Sequence, residues 1–471
     1  MAAKFLPHDI ISNRYITSEI IKKFDVSGPR YTSYPTADRF VEAFSSEQYI
    51  EALKTRYVGG VALPLSIYVH IPFCESLCFY CACNKVITER HERGAEYLQY
   101  LRKEIALYSA HINTEQVVNS IHLGGGTPTF FTDEELSELM RMLREHFTLA
   151  EDGEYSIEID PRTVDSKRLA HFASLGFNRL SFGVQDIEPA VQKAVHRIQP
   201  VQNIFDLVND ARMLGFDSIN LDLIYGLPKQ TPHSFAKTAA TVNTLLKPDR
   251  IALYAYAHLP ERFKAQRNIE LKDLPKAHDK IAMLENAMNA FQDAGYAYIG
   301  MDHFALPHDE LAKAKRLGTL HRNFQGYSTQ PNCDLIGLGV SAIGGIGATY
   351  SQNAKTLDEY YDDLDQDRFP VVHGLALSHD DLVRREVIMA LMCQGHLQFE
   401  SIELSFLIEF KTYFSTELDA LQCLVSDGLV EVESNAIQVT TLGWFFVRGI
   451  AMLFDRYLQA DNNRTRFSKI I

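Results

Sequence analysis

The sequence predicts an α/β fold, namely an incomplete (β/α)6 barrel of the TIM type, and three observations lead to this class. Short β-rich segments alternate with stretches whose apolar residues recur at helical spacing. Successive β/α units, each a β-rich segment and the helical stretch after it, follow at intervals of roughly 25–40 residues, which favours a parallel sheet. Polar residues stand near the C-terminal ends of several strands, where barrel enzymes carry their reactive groups. The predicted strands are 66–73, 119–126, 154–160, 179–185, 218–226 and 250–258.

Six β/α units are fewer than the eight that close a full barrel. The predicted barrel therefore leaves a wide lateral opening, which suits a large substrate. Two of the intervening segments, 95–111 and 133–147, have clear helical periodicity.

The regions before and after the barrel differ from it in composition. Residues 1–60 contain SGPRYTSYPTADRF, which is rich in Tyr, Pro and Thr without helical periodicity, and this predicts an extended N-terminal arm. Residues 61–375 form the predicted barrel with its extension, and residues 376–471 form a mostly helical, winged-helix-like C-terminal domain. That domain is predicted to contain a helix, a hairpin, and a final amphipathic helix that ends near Leu458.

Bulk composition limits the possible partners. A winged helix is typical of DNA binding, but residues 401–471 hold 6 Lys and Arg against 9 Asp and Glu, which favours a packing or lid role. The net charge of −14 also argues against a nucleic-acid partner. The sequence contains no apolar run of 18 residues, so it predicts no membrane span. The N-terminal MAAKFLPHDIISNRYIT lacks the pattern of an export signal, so we expect a cytoplasmic protein. We also expect a monomer, although no sequence pattern indicates the oligomeric state.

Four cysteines fall within CESLCFYCAC, at Cys74, Cys78, Cys81 and Cys83. Structural zinc needs four ligands, usually two pairs set well apart, and here there is no distant second pair. Cys83 could complete a zinc site, although its spacing from Cys81 is cramped. The spacing C-x3-C-x2-C instead favours an iron–sulfur cluster, in which three thiolates leave one iron open to a small molecule.

Other residues near predicted strand ends suit a polar ligand. LGGGTPT at 123–129 is either a plain glycine turn or a loop that lets the backbone approach a ligand closely. Glu158, Gln185 and Asp222 suit hydroxyl and ammonium groups, or they are ordinary rim residues. Arg197 is either a surface residue or the partner of a carboxylate.

The cysteine spacing with the aromatic Tyr80 before the third cysteine resembles the radical S-adenosylmethionine (SAM) superfamily. Over almost the whole chain, the sequence further resembles the family of oxygen-independent coproporphyrinogen III oxidases. The motifs that carry this resemblance are GPRYTSYPT, YVHIPFCESLCFYCACN, GGGTPT, SIEIDPRTV, SFGVQD, NLDLIYGLPKQT, GMDHFA and HRNFQGYST.

The resemblance implies a [4Fe–4S] cluster held by Cys74, Cys78 and Cys81, with two SAM molecules bound beside it. Two sets of residues are implied to contact SAM. The first molecule would meet Tyr68, Gly125, Glu158 and Ile343. The second would meet Tyr80, Gly126, Thr127, Gln185, Arg197, Asp222 and Ala257. Tyr80 stands where the family usually has phenylalanine, so an aromatic face is kept.

The implied reaction is the oxidative decarboxylation of two propionates of coproporphyrinogen III to vinyl groups, giving protoporphyrinogen IX. A 5′-deoxyadenosyl radical made from SAM at the cluster would break an unactivated C–H bond without oxygen. The family's arm is thought to fold over the substrate cleft. Arg30, Arg322 and Lys85 are candidate propionate partners, and Cys83 and His70 are further substrate or catalytic candidates. An electron donor resembling flavodoxin or ferredoxin is implied as a partner.

Two other functions compete with the oxidase. A radical-SAM-like haem carrier would share the core without oxidase activity, but such relatives lack the long N-terminus, the fourth cysteine and HRNFQGY, all of which this chain has. A zinc-stabilised interaction protein with a winged-helix tail is the other. Elemental analysis distinguishes the zinc protein from the oxidase, because the first would contain zinc and the second iron.

Overall fold

The computed structural model describes residue 23 and residues 27–56, 63–113, 116–330 and 333–459. Contacts divide the chain into two compact units. The sheet unit comprises Phe40–Ala290 and Asn332–Ala376, and the C-terminal unit comprises the described residues of Met1–Arg39, Phe291–Pro331 and Leu377–Ile471. The three-part division at 1–60, 61–375 and 376–471 stays a prediction. Part of the predicted arm, at 1–22, 24–26 and 57–60, lies outside the described residues.

Six parallel strands form the centre of the sheet unit. They lie side by side in chain order, as the alternation of strands and helices predicted. They are β1 (Leu65–Ile71), β2 (Val117–Gly125), β3 (Thr148–Ile159), β4 (Arg179–Gln185), β5 (Ser218–Tyr225) and β6 (Arg250–Ala255). The prediction of six parallel strands is therefore confirmed, and their C-terminal ends meet at one edge of the sheet.

Four further strands extend this sheet beyond β1. They are β7 (Asp334–Leu338), β8 (Ile343–Ile346), β9 (Thr349–Asn353) and β10 (Val371–Ala376). β7 pairs parallel with β1, and β8 to β10 then follow antiparallel. The sequence pattern does not predict these strands, because the segment is rich in glycine, which lowers β-propensity.

The helices follow local end signals. The predicted helices at 95–111 and 133–147 are confirmed as Glu92–Ser109 and Asp133–His146. The second begins at a capping box in which Thr132 and Glu135 satisfy each other's backbone N–H groups. The sheet unit also contains the α-helices Ser46–Thr55, Ser166–Ser174, Pro189–Ala194, Val201–Met213, Pro232–Thr241 and Leu357–Asp365. The helix Ala277–Asp293 begins in the sheet unit and ends in the C-terminal unit. No helix within the described ranges is long and apolar enough to cross a membrane.

The N-terminal arm differs in part from the prediction of an extended segment. Ser46–Thr55 is a helix, because Ser45 and Gln48 form a capping box and Tyr49 and Leu53 are buried on one face. Residues 27–36 have no regular helix, as predicted.

The arm's first described residues belong to the C-terminal unit. Arg448 Nε donates to the Pro29 carbonyl at 3.0 Å, and the Tyr31 hydroxyl donates to Asp455 at 3.0 Å. The backbone N–H of Arg456 donates to the Tyr34 hydroxyl at 3.3 Å.

The C-terminal unit has a helix and a three-stranded sheet, consistent with the predicted winged-helix-like pattern. The helix His379–Gln394 starts at a capping box on Ser378, and Ala436–Val439 lies between His396–Gln398 and Val430–Val432. Its other helices and strands are Ala297–Gly300, His303–Ala305, Glu310–Leu317, His321–Asn323, Gly326–Ser328, Phe399–Phe406, Phe410–Tyr413, Ser415–Ser426, Val447–Ala451 and Arg456–Gln459. The prediction of one continuous helix to Leu458 is wrong, because Phe446 and Asp455 leave helical geometry and divide it into short turns.

Candidate active site

The cysteine loop leaves the C-terminal end of β1 and is closed at its base. Phe73–Cys74 pairs with Val86–Ile87, and the Thr88 N–H donates to the Cys74 carbonyl at 3.0 Å. Cys78 is buried, Cys74 and Cys81 are half-buried, and Cys83 is exposed. The loop therefore holds the three predicted cluster ligands in a short closed segment above the strand.

Three polar side chains lie against these thiols. Thr127 Oγ1 is 3.6 Å from Cys74 Sγ, and Arg197 Nη1 and Arg162 Nη2 are 3.5 and 3.7 Å from Cys78 Sγ. Both guanidinium groups also bind Asp160, at 3.0 and 2.6 Å. Guanidinium N–H groups can donate to a thiolate, the form in which cysteine binds iron. The three thiols and the hydrogen-bond donors around them thus fit an iron–sulfur cluster.

Lys85 secures the other end of the loop. Its ammonium group donates to the carbonyls of Cys81 and Cys83, at 3.2 and 3.4 Å. The Cys83 thiol hydrogen-bonds the Cys81 sulfur and thereby lowers the pKa of Cys81 to about 6. Among the described residues, no three His, Cys, Asp or Glu side chains converge as a site for a single metal ion. That Cys83 is not a ligand stays a prediction.

The glycine loop packs directly on the cysteine loop. The N–H groups of Gly126 and Thr127 donate to the carbonyls of Ile71 and Phe73, at 2.8 and 2.9 Å. A Cβ on Gly126 would lie 2.6 Å from the Pro72 carbonyl oxygen, and Gly125 has φ +117°. Glycine is required at both positions, so LGGGTPT is more than a surface turn.

Glu158 and Tyr68 lie beside this loop with bonded side chains. Glu158 accepts from the Gly125 N–H and from His122 Nε2, each at 3.2 Å. Burial raises the pKa of Glu158, but these bonds outweigh burial and hold the pKa below its ordinary value. His70 Nε2 donates to the Asn84 carbonyl at 3.0 Å, so its Nδ1 accepts from the Tyr68 hydroxyl at 3.0 Å.

His70 faces the same side of β1 as Tyr68, as predicted. Burial lowers the pKa of His70, which favours the neutral ring. Ile343 lies next to Gly337, and Gly337 is opposite Tyr68 in the register of β1 and β7. A Cβ on Gly337 would be 2.7 Å from the carbonyl carbon of Ile343.

A second group of predicted residues surrounds Gly183 on β4. Arg197 Nη2 donates to the Gly183 carbonyl at 2.7 Å, and Asp222 is opposite Gly183 in the register of β4 and β5. A Cβ on Gly183 would lie 2.9 Å from the Gln185 amide nitrogen. Gln185 itself adopts φ +66°, which turns the chain at the strand end.

Two of these side chains have properties that indicate a ligand. Arg197 is only 7% exposed, yet its Nε has no hydrogen-bond partner among the described residues. Burial, and then the negative charge of Glu158, raise the pKa of Asp222 to about 6. Perturbed carboxylates of this kind cluster at functional sites.

Tyr80 and Ala257 are held together by Gln266. Its amide nitrogen donates to the Tyr80 carbonyl at 3.1 Å and to the Ala257 carbonyl at 3.2 Å. The Tyr80 ring packs against an apolar cluster of Val191, Val195, Leu227, Tyr256 and Ile269.

Arg30 and Arg322 belong to the C-terminal unit. Arg30 forms an ion pair with Asp302, and Arg322 Nε donates to the Arg30 carbonyl at 3.2 Å. The Arg322 guanidinium also lies 4.6 Å from the centre of the Tyr327 ring. Their assignment to substrate stays a prediction.

Sequence reasoning missed four side chains of this site: His122, Asp160, Arg162 and Gln266. Asp160 and Arg162 stand within SIEIDPRTV, and their position at the end of a predicted strand was a usable signal. His122 alternates with Gly124 on a predicted strand, which placed it toward the same face. Gln266 comes from a segment without strand or helix periodicity, so nothing local indicated it.

Comparison with known families agrees with this geometry. Residues 68–242 match the family model described as "Radical SAM superfamily", and residues 377–446 match "HemN C-terminal domain". The parallel α/β sheet with a cysteine loop after its first strand is thus that of a radical SAM protein.

Full-length relatives make the family specific. A Pseudomonas aeruginosa protein named oxygen-independent coproporphyrinogen III oxidase is 50% identical, over 96% of this chain and 98% of its own. The Escherichia coli K12 protein of the same name is 47% identical over 96% and 98%. A solved structure described as coproporphyrinogen III oxidase (HemN) from Escherichia coli, a radical SAM enzyme, superposes with a TM-score of 0.88 at 46% identity, over 92% of this chain and 100% of that one. This chain belongs to the oxygen-independent coproporphyrinogen III oxidase family.

Proposed function

We propose that this chain oxidatively decarboxylates two propionates of coproporphyrinogen III to vinyl groups, and that the residues at the strand ends of the sheet unit carry out the reaction. The observation that supports the assignment most is the joined pair of loops. Three thiols in one closed loop lie against a triglycine loop whose N–H groups bond to its base. The thiols can hold a cluster, and the glycine backbone lets a small cofactor approach it closely.

Cys74, Cys78 and Cys81 are the proposed ligands of the [4Fe–4S] cluster. Arg197 and Arg162 donate to the sulfur of Cys78 and offset the negative charge of the thiolates. When bound, the cluster and SAM supply the electron and the carbon radical that removes a hydrogen atom from the substrate.

The proposed contacts of the first SAM are Tyr68, Gly125, Glu158 and Ile343. Glu158 uses one oxygen for His122 and one for Gly125, yet its side chain remains 42% exposed. The carboxylate therefore has lone pairs left to accept from an ammonium group or a ribose hydroxyl. Its depressed pKa keeps it anionic at neutral pH.

The proposed contacts of the second SAM lie around Gly183 and the glycine loop. Arg197 offers its unpartnered Nε to a carboxylate, and Asp222 and Gln185 offer acceptors for ammonium or hydroxyl groups. The backbones of Gly126, Thr127 and Ala257 and the ring of Tyr80 complete this set. Gln266 holds the backbone carbonyls of Tyr80 and Ala257 in place.

Substrate contacts are proposed at His70, Lys85, Arg30 and Arg322. The last three are cationic and suit the propionate carboxylates. Cys83 is exposed beside the cluster loop, and we propose that it acts in turnover rather than as an iron ligand. We further propose a cytoplasmic monomer that receives electrons from a flavodoxin- or ferredoxin-like protein.

The test is anaerobic incubation of the iron-reconstituted protein with SAM, a reductant and coproporphyrinogen III, followed by chromatographic analysis of the products. Divinyl product with stoichiometric SAM cleavage is expected. Cleavage of SAM without vinyl formation would favour the carrier, and zinc in place of iron by elemental analysis would refute the cluster.

A further inference from the structure

His122 connects two of the residues proposed to hold the first SAM. Its Nε2 lies 3.2 Å from Glu158 Oε1, and its ring stacks on the Tyr68 ring with centroids 5.9 Å apart and planes 19° apart. Among the described residues, no other side chain makes a ring or hydrogen-bond contact with both Glu158 and Tyr68. His122 lies on β2, between β1 and β3, so the strand order itself places it between them.

Both ring nitrogens of His122 make hydrogen bonds. A carboxylate only accepts, so Nε2 carries the proton that Glu158 receives. Nδ1 lies 2.6 Å from Ser156 Oγ, a hydroxyl that can donate or accept and that also lies 3.4 Å from the Ile121 carbonyl oxygen. Both ring nitrogens are thereby used, and the imidazole cannot turn without losing both bonds.

Through these contacts His122 belongs to a chain of side chains that reaches the cysteine loop. Glu158 binds the Gly125 N–H, Tyr68 binds His70, and His70 binds the carbonyl of Asn84 at the end of the cysteine loop. A Cβ on Gly124 would lie 3.0 Å from the Glu158 carboxyl group, so glycine at this position leaves the space that the carboxylate occupies. Within this chain of side chains, the His122 ring contacts both the Glu158 carboxylate and the Tyr68 ring.

We propose that His122 is a positioning residue for the first SAM: it orients the Glu158 carboxylate and the Tyr68 ring without touching the cofactor. The inference rests on the proposed function, because it assigns Glu158 and Tyr68 to that molecule. A histidine that merely filled the interior of the sheet unit would affect folding and both SAM molecules alike. A positioning role affects the first molecule selectively.

Three substitutions separate the two contacts. His122→Phe keeps an aromatic ring and removes both hydrogen bonds, and His122→Asn reaches only toward Ser156. His122→Gln places an amide N–H within reach of Glu158 but removes the ring. His171→Phe is the control, because His171 is also a half-buried histidine of the sheet unit and lies on the helix Ser166–Ser174. Its Nε2 lies within hydrogen-bond distance of Ser137 Oγ and of the Asp133 carbonyl, at 3.0 Å each.

The experiment uses the full-length, iron-reconstituted protein under anaerobic conditions. The first site is titrated through the change that SAM causes in the electron paramagnetic resonance spectrum of the reduced cluster. Total SAM is measured by equilibrium dialysis, and iron by elemental analysis. His122→Phe and His122→Asn should weaken the first SAM about tenfold or more, because a misplaced Glu158 carboxylate loses its own charged hydrogen bond to SAM. Iron and the second SAM should be retained.

His122→Gln should recover part of the first-site affinity, and His171→Phe should bind SAM like the wild type. Unchanged first-site affinity in all three His122 variants, or equal weakening of both SAM molecules, would overturn the positioning role while leaving the proposed function intact. If His122→Phe fails to fold, the ratio of affinities between the Gln and Asn variants decides, and equal values refute the proposal. A wild-type protein that binds iron but no SAM would refute both the proposed function and this inference.

Discussion

Replacing Arg197 by alanine should weaken the second SAM far more than the first. The guanidinium is buried and keeps an unpartnered Nε, which is the proposed donor to the SAM carboxylate. A hydrogen bond to a charged group contributes about 1.5–3 kcal/mol. The dissociation constant of the second SAM should therefore rise about 10- to 100-fold.

The surrounding structure should tolerate this change because the other partners of Arg197 have substitutes. Asp160 keeps Arg162, whose Nε and Nη2 lie 2.9 and 2.6 Å from its two oxygens. The Gly183 carbonyl keeps the amide of Gln199 at 3.3 Å. Neither is left buried without a partner, so the stability lost should stay near the cost of one hydrogen bond, about 1 kcal/mol.

The assay is anaerobic equilibrium dialysis with labelled SAM, fitted to two sites, with iron measured in the same samples. Arg162→Ala is the matched control, because it also removes an ion pair to Asp160 and a contact to Cys78 but has no proposed bond to SAM. Equal weakening at both sites, or the same loss in the Arg162 variant, would refute the assignment of Arg197.

Further outcomes are expected. Serine at any one of the three proposed cluster ligands should abolish iron binding and activity, and full activity in such a variant would contradict the cluster assignment. Cys83→Ser should keep its iron but turn over slowly; lost iron would make Cys83 a ligand. Because the pKa of Asp222 is raised to about 6, affinity for the second SAM should fall as the pH drops through 6, and Asp222→Asn should remove this dependence in pH-resolved dialysis. Burial raises the pKa of Glu104 from 4.5 to about 7. The folded protein should therefore lose about 3 kcal/mol of stability between pH 4.5 and 7, and the Glu104→Gln variant should not. Urea-unfolding midpoints that change with pH in the same way in both proteins would contradict this.

Much of the sheet and part of the site could be predicted because their signals are local. Strand and helix periodicities need only neighbours along the chain, and all six predicted strands formed. The close approach of Gly126 to Pro72 likewise follows from two loops that leave adjacent parallel strands. The helix Ser46–Thr55 shows the limit of this reasoning, because a short capped helix in a Tyr- and Pro-rich segment has too few turns to show periodicity.

By itself, the sequence determined the parallel α/β class, the three-thiol loop after the first strand and the glycine loop after the second. Spacing between neighbouring residues is enough to specify these features. Only the tertiary structure decided that β7 pairs with β1 and brings Gly337 opposite Tyr68, and that His122 joins Tyr68 to Glu158. Such contacts depend on strand order and register, which arise when distant segments pack together and which no local pattern encodes.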